Sequence, residues 1–126
     1  MKQTKVSGQW DQGNNHVNVQ LTLILFEEDS KFFVYTPSLD LSGYGESEDE
    51  ARKSFAETLD AFLQYTANKK TLPKVLTRLG WNVKSRKRIK SPALVDMVNN
   101  NEYLAEIFEE KQYKKVHETV KMPVFA

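Results

Sequence analysis

A capped, amphipathic helix is the feature that most restricts how this chain can fold. Ser47 and Glu50 have the spacing of a capping box, in which each side chain accepts a hydrogen bond from a backbone N–H at the helix start. A stripe of mostly apolar residues then recurs at steps of three and four: Ala51, Phe55, Leu59, Phe62, Leu63 and Thr66. The sequence therefore predicts a helix over residues 47–67, and its stripe must be buried against an apolar surface.

A hairpin that could supply this surface is predicted immediately before the helix. The odd positions of residues 17–25 are apolar and most of the even positions are polar, which is the alternation of a half-buried strand. Residues 28–30 form a polar turn, and residues 32–35 are predicted to return as an antiparallel strand because so short a link cannot support a crossover. Pro37 has no N–H for a sheet ladder and closes this strand. Residues 42–45 are predicted as a short third strand at the sheet edge.

The second half of the chain is predicted to contain short helices and a last strand. A proline near its start and a glycine just past its end mark a short helix over residues 72–79. The basic residues 84–90 are predicted to form a solvated loop. Ser91, followed by a proline, is predicted to cap a further helical region, which continues to residue 110 after an asparagine run. Residues 114–125 are predicted as a strand that pairs with the sheet of its own or a neighbouring subunit.

These elements together predict a single α+β domain of 126 residues. We expect an antiparallel three-stranded sheet packed by one long amphipathic helix, with a β-β-β-α core over residues 16–67. Residues 68–126 would add C-terminal helices and the final strand. The longest apolar run, residues 23–26, is far too short to cross a bilayer. Because the first residues also lack the apolar segment of a signal peptide, a cytoplasmic location without membrane contact is expected.

Residues that could support catalysis are few and scattered. The absence of cysteine excludes disulfides, cysteine-ligated metals and thiol nucleophiles. Asp29, Asp40 and Glu46 lie near predicted strand ends, but two-metal catalysis needs several converging carboxylates, and the sequence fixes no such convergence. His16 and His117 are isolated from serine or carboxylate motifs and lack metal-ligand spacing. We therefore expect no catalytic residues, no metal and no other cofactor.

The formal net charge of +1 conceals a separation of charge along the chain. Residues 27–60 contain ten acidic and three basic residues, whereas residues 69–90 contain nine basic residues and no acid. The acidic residues at the start of the predicted helix are explained by capping and by the helix dipole, and equally by a surface complementary to a cationic partner.

The basic segment, residues 69–90, has two explanations as well. It could be a nucleic-acid patch that includes Trp81, with Lys84, Arg86, Lys87 and Arg88 as the candidate contacts. The simpler explanation is the outer face of a short helix followed by a solvated loop, and the composition favours this second interpretation.

The segment at residues 37–51, PSLDLSGYGESEDEA, has a recognisable order of residue types. A proline follows the second strand, a serine or threonine comes a few residues later, and Gly-acid-Ser/Thr opens a helix that contains Glu-Ala. These places are occupied by Pro37, Ser42, Gly45, Glu46, Ser47, Glu50 and Ala51. In this respect the first half of the chain resembles the HicB antitoxin family. The family's usual Gly-Cys pair is missing from the loop, and the second half contains no recognisable DNA-binding helix-turn-helix or ribbon-helix-helix.

The resemblance implies a β-β-β-α unit, similar to a partial ribonuclease-H fold, that neutralises a small basic RNA-cleaving toxin. Asp40, Tyr44, Glu46 and Glu48 are the candidate partner-binding residues. The predicted function is therefore non-enzymatic protein binding, and the alternative is a nucleic-acid-binding regulator that uses the basic segment. A homo-oligomer formed through the sheet edge or the C-terminal strand is a further expectation.

Overall fold

The computed structural model describes residues 16–85 and 88–123. In chain order its elements are β1 (His16–Glu28), β2 (Lys31–Thr36), β3 (Leu41–Gly45), α1 (Glu48–Lys69), α2 (Leu72–Arg78), β4 (Asn82–Ser85), β5 (Arg88–Lys90), α3 (Leu94–Asn100), α4 (Glu102–Glu110) and β6 (Tyr113–Pro123). One sheet has the strand order β3-β2-β1-β6, and β4 pairs with β5 separately. The α+β class is thus confirmed. No helix in the described ranges is long and apolar enough to cross a membrane.

The predicted first hairpin is confirmed, and its turn is tight. Glu28 pairs with Lys31, so that only Asp29 and Ser30 connect the two strands. Both have positive φ angles, 54° and 64°, which is the backbone of the type I′ turn that matches the twist of paired strands. The turn fixes the register and places Leu25 opposite Val34, so that the apolar positions of the two strands share a face.

The sheet has four strands, because the last strand joins the predicted three by pairing within its own chain, which is one of the two pairings predicted for it. β6 runs antiparallel to β1 over the whole described length, from His16 opposite Pro123 to Phe26 opposite Tyr113. This pairing makes β1 a central strand. Residues 23–26 are all buried because each face of the sheet is covered at this end, one by the main core and the other by a second cluster.

One face of the sheet carries α1, and the predicted stripe is buried there except at one position. Phe55 and Leu59 belong to the main core with the odd residues of β1, whereas Phe62 lies half-buried at its margin. The helix lies very close to β3 at Gly43, where an added Cβ atom would collide with the backbone nitrogen of Phe55. A glycine at this position therefore lets the helix lie directly on the strand.

The capping box that opens α1 is confirmed. The hydroxyl oxygen of Ser47 accepts a hydrogen bond from the N–H of Glu50 at 3.1 Å. The Glu50 carboxylate in return accepts from the N–H of Glu46 at 3.0 Å, one residue before the N-cap. These bonds satisfy donors that the helix itself cannot satisfy and fix where the chain turns from β3 into α1.

The opposite face of the sheet is covered by α4. Leu104 and Ile107 are buried in a second cluster with residues of β1 and β2. The prediction that Ser91 caps the preceding helix is wrong: α3 begins only at Leu94, where its apolar residues reach the second cluster, and Ala93 occupies the N-cap without a side-chain bond. The asparagine run caps α4 instead, since the Asn101 side-chain oxygen accepts from the N–H of Leu104 at 3.0 Å.

The prediction of a solvated loop over residues 84–90 is also wrong. β4 and β5 form an antiparallel hairpin in which Val83 lies opposite Ile89, and both side chains pack half-buried against the main core. The loop prediction failed because the many basic residues concealed this short alternation of apolar and polar positions. Trp81, just before β4, is buried, and its indole N–H donates to the carbonyl oxygen of Ser38 at 2.7 Å. The hairpin is thus anchored to the rest of the fold.

Candidate interaction surfaces

The four predicted partner-binding residues follow the path from β2 to α1. Asp40 lies in the turn between β2 and β3, Tyr44 lies on β3, Glu46 is in the link to the helix, and Glu48 is in the first turn of α1. The structure gives them different environments. Asp40 and Glu48 connect parts of the fold, whereas Tyr44 and Glu46 present exposed side chains.

Asp40 is used to join two parts of the fold. Its carboxylate accepts a hydrogen bond from the Tyr35 hydroxyl at 2.8 Å, and the same hydroxyl accepts from the side-chain amide of Asn101 at 2.9 Å. Burial of the Tyr35 phenol raises its pKa to about 12, because the charged phenolate would be poorly hydrated there. The Asp40 side chain therefore links the β2–β3 turn to the start of α4 through a phenol that stays protonated.

Tyr44 is open to solvent. The residue is 63% exposed, and its ring lies against Phe33 with 6.2 Å between ring centroids. Phe33 in turn stacks on Phe26 at 5.2 Å, so an aromatic row continues from the sheet edge towards its centre. The backbone N–H of Tyr44 donates to the hydroxyl oxygen of Ser54 on α1, which occupies one hydrogen-bond donor of this edge strand.

Glu46 is open as well, although it has a partner. Its carboxylate forms an ion pair with the Lys31 ammonium group at 3.1 Å, and both side chains are about half-exposed or more. Ion pairs of this kind contribute little, typically about 0–1 kcal/mol, because water solvates both charges well. A cationic partner could therefore replace Lys31 at small cost.

Glu48 belongs to a network that joins α1 to β6. Its carboxylate accepts from Lys114 at 2.9 Å and from Arg52 at 3.4 Å, and the Lys114 contact is the main reason that its pKa lies below the usual 4.5. Arg52 also donates to Glu118 at 2.9 Å, and the Glu118 side chain is buried. This makes Glu48 a structural residue first. The sequence contains one signal for the network. Glu118 alternates with Val116 and Val120 on β6, so it occupies a position on the apolar face of that strand.

The basic segment is arranged differently, because its described basic side chains form no ion pair with another described residue. All seven of its described basic side chains are exposed, and none forms an ion pair with a described residue: Lys69, Lys70, Lys74, Arg78, Lys84, Arg88 and Lys90. Two predicted contacts, Arg86 and Lys87, lie outside the described residues. The interpretation that included Trp81 in a nucleic-acid patch is wrong, because its side chain is in the core.

A shallow cavity of about 530 Å³ lies where the β1–β2 turn approaches the start of β6. Phe26, Phe33 and Tyr113 line it together with the ion pair between Glu28 and Lys111, whose charged atoms are 2.8 Å apart. Its lining also includes Glu27, Asp29 and Glu110, so the acidic residues around the cavity outnumber its two lysines, Lys111 and Lys114.

Asp29 and His117, two of the residues considered for catalysis, lie at different places on the sheet. Asp29 occupies the β1–β2 turn. The His117 ring nitrogen Nδ1 is hydrogen-bonded to the Thr22 hydroxyl at 3.1 Å, at an exposed place between β6 and β1. Within residues 16–85 and 88–123, no three His, Asp or Glu side chains are grouped so that they could hold a metal ion.

Comparison of the chain with protein-family models, with curated proteins and with solved structures found no match.

Proposed function

We propose that this chain is a HicB-like antitoxin, a non-enzymatic protein that binds and neutralises a small basic RNA-cleaving toxin. The observation that supports this proposal most is the β-β-β-α unit formed by β1, β2, β3 and α1, which is the architecture that the resemblance implies. Within this unit, the residues that carry the resemblance have defined structural roles, so their order along the chain is consistent with one continuous motif.

Each part of that motif meets a local requirement of the unit. Pro37 follows the last residue of β2, where a missing N–H does no harm. Gly45 lies under the first turn of α1, where a side chain would collide with Glu50, and Ser47 caps the helix. Ala51 is fully buried against the sheet. The motif thus brings an exposed strand edge and an acidic helix start side by side, and this is where we place the partner.

The proposed docking site is the β3–α1 surface, which we define as Tyr44, Glu46 and Asp49. The Tyr44 ring offers apolar area with a hydroxyl group, a combination that is enriched at the centres of protein interfaces. Glu46 can exchange Lys31 for a cation of the partner, and Asp49 is an exposed carboxylate in the first turn of α1. The negative charge would also steer a basic protein during the encounter.

The proposal can be tested by co-expressing the chain with small basic proteins encoded next to its gene. We expect one of them to arrest growth, and co-expression of this chain to restore growth. With the purified pair, a Tyr44→Ala, Glu46→Lys variant should bind about tenfold more weakly or worse, since it removes an aromatic anchor and reverses a charge. Its association rate should also depend less on salt concentration than that of the unchanged chain.

A matched control is Glu57→Lys, which makes the same charge reversal at an exposed position further along α1. It should leave growth rescue and affinity close to those of the unchanged chain. Glu48→Lys is less suitable, because it would also break the contacts with Arg52 and Lys114. If no neighbouring product binds and no growth arrest is relieved, the proposal is wrong.

A further inference from the structure

The β4–β5 hairpin and α2 form a basic surface, which we define as Lys74, Arg78, Lys84, Arg88 and Lys90. The hairpin follows α2 directly. The backbone N–H of Trp81 donates to the carbonyl oxygen of Leu76 at 2.9 Å, and α2 contacts β4. All five side chains that define this surface are exposed. No acidic residue occurs between residues 69 and 90, so nothing in the segment neutralises them.

The backbone of the hairpin holds these charges in place. Val83 and Ile89 point into the main core, and Trp81 is fixed by its bond to Ser38. Successive residues of a strand point to opposite faces. With Ile89 inward, Arg88 and Lys90 on either side of it therefore point outward, and Lys84, at the irregular pairing after Val83, is exposed. A charged surface built on paired strands loses less conformational freedom on binding than one built on a free loop.

The charges repel one another in the free protein. Lys74 and Arg78 are four residues apart on α2, a spacing that places like charges side by side, and the first turn of α2 contains no acid. Elsewhere in the described chain, Lys31, Arg52 and Lys114 each form an ion pair with a carboxylate. Among the described residues, the basic surface therefore lacks the anions that these three bases already have.

We infer that this surface binds the phosphate backbone of double-stranded nucleic acid without sequence preference, an activity beyond the proposed antitoxin function. Closely spaced phosphates supply the missing anions, and lysine and arginine contacts to them carry most of non-specific binding. The only aromatic residue of the basic segment, Trp81, is buried, so the segment offers no ring on which unpaired bases could stack. This favours a duplex over a single strand. RNA and DNA share the phosphate chemistry and differ in the 2′-hydroxyl group.

The test measures binding of the full chain to a labelled 20-base-pair duplex of mixed sequence, made once as RNA and once as DNA (about two helical turns). Affinity should fall linearly with salt on logarithmic axes between about 50 and 200 mM. The Lys84→Gln, Lys90→Gln variant should weaken binding to every duplex sequence and reduce that slope by about two, one for each phosphate contact.

The matched control is Lys53→Gln, Lys115→Gln, which removes the same charge at two exposed positions outside the basic surface. It should reduce the slope by much less than two. An equal reduction would show that binding depends on overall charge only, and would overturn the inference. Unchanged melting temperatures of both variants would establish that the differences do not come from unfolding.

Three further results would overturn the inference. The first is no duplex binding at about 50 mM salt, where phosphate contacts are strongest. The second is tighter binding of the single strand than of the duplex, weakened by Tyr65→Ala, since Tyr65 is exposed one helical turn before Lys69. The third is binding of vesicles that contain an anionic phospholipid in place of either duplex. None of these outcomes depends on growth rescue, so the antitoxin proposal is tested separately.

Discussion

The guanidinium group of Arg52 on α1 donates to the carboxylate of Glu118 on β6 across 2.9 Å, and Glu118 is a buried residue. The Arg52 side chain is 19% exposed and that of Glu118 is 5% exposed. This ion pair connects the central helix to the last strand, two elements that are far apart in the sequence. A charge placed this deep is tolerated only with a partner of opposite sign.

Removing the cation of this pair should destabilise the fold strongly. We expect Arg52→Met to lower the free energy of unfolding by about 3 kcal/mol, because Glu118 would remain buried without its partner. Replacing both residues, by Arg52→Met and Glu118→Leu, should recover most of the loss. Urea unfolding measures both values. Lys53→Met, at an exposed neighbouring position, should change stability by no more than about 0.5 kcal/mol. Similar small effects of Arg52→Met and Lys53→Met would show that the ion pair does not stabilise the fold.

The position of α1 on the sheet can be tested at Phe55. Its side chain is 2% exposed in the main core, so Phe55→Ala should reduce the free energy of unfolding by about 3–5 kcal/mol. Glu57→Ala changes an exposed residue two positions away and should cost no more than about 0.5 kcal/mol. Denaturant unfolding of the two variants compares the buried and the exposed face of α1 directly. Equal, small losses of unfolding free energy would contradict the packing of α1 on the sheet.

Tyr35 should make the fold sensitive to alkaline pH. Burial raises its pKa from 10.0 to about 12 in the folded chain, so the unfolded chain releases this proton first as the pH rises. The stabilisation is therefore fully present below pH 10.0 and is lost progressively as the pH rises towards 12. Ultraviolet absorbance of phenolate should show one tyrosine that ionises near pH 12, and this step should disappear in Tyr35→Phe. A profile that is identical in the variant would contradict the assignment.

The same Tyr35→Phe variant also reports on the polar link between β2 and α4. It removes the hydroxyl that Asp40 and Asn101 both contact, and it leaves the ring in the second cluster. At neutral pH we therefore expect a loss of about 1–2 kcal/mol from these hydrogen bonds. Ser42→Ala, at an exposed position of β3 beside Tyr35, serves as a control that should cost less.

The elements that the sequence predicted correctly are those with a strong local signal. The capping box at Ser47 and the stripe through Phe55 and Leu59 locate α1 because three- and four-residue spacing is visible in one short window. The β1–β2 hairpin follows in the same way from alternation and a short polar turn. By contrast, the choice of partner for the last strand involves residues about a hundred positions apart, for which a single sequence provides no local pattern.

The predicted interaction surfaces also divide into features with a local sequence signal and features that depend on distant contacts. Tyr44 and Glu46 were identified from their place in the motif, and the structure leaves both side chains open. The sequence could not show that Glu48 is bound by Lys114, because that contact exists only after β6 has paired with β1. Likewise, the spacing of apolar residues did not reveal that Val83 and Ile89, which lie among many bases, face each other across a hairpin.

The pairing of β1 with β6 has a consequence for how the protein is made. Residues 16–28 are synthesised well before residues 113–123, which form the strand that covers one of their edges. During translation, β1 therefore keeps an unpaired edge that contains four consecutive apolar residues, a segment that can pair with other nascent chains. Contacts between such distant residues also slow folding. We therefore expect synonymous codons that stall translation before residue 113 to lower the yield of the protein without altering the folded product.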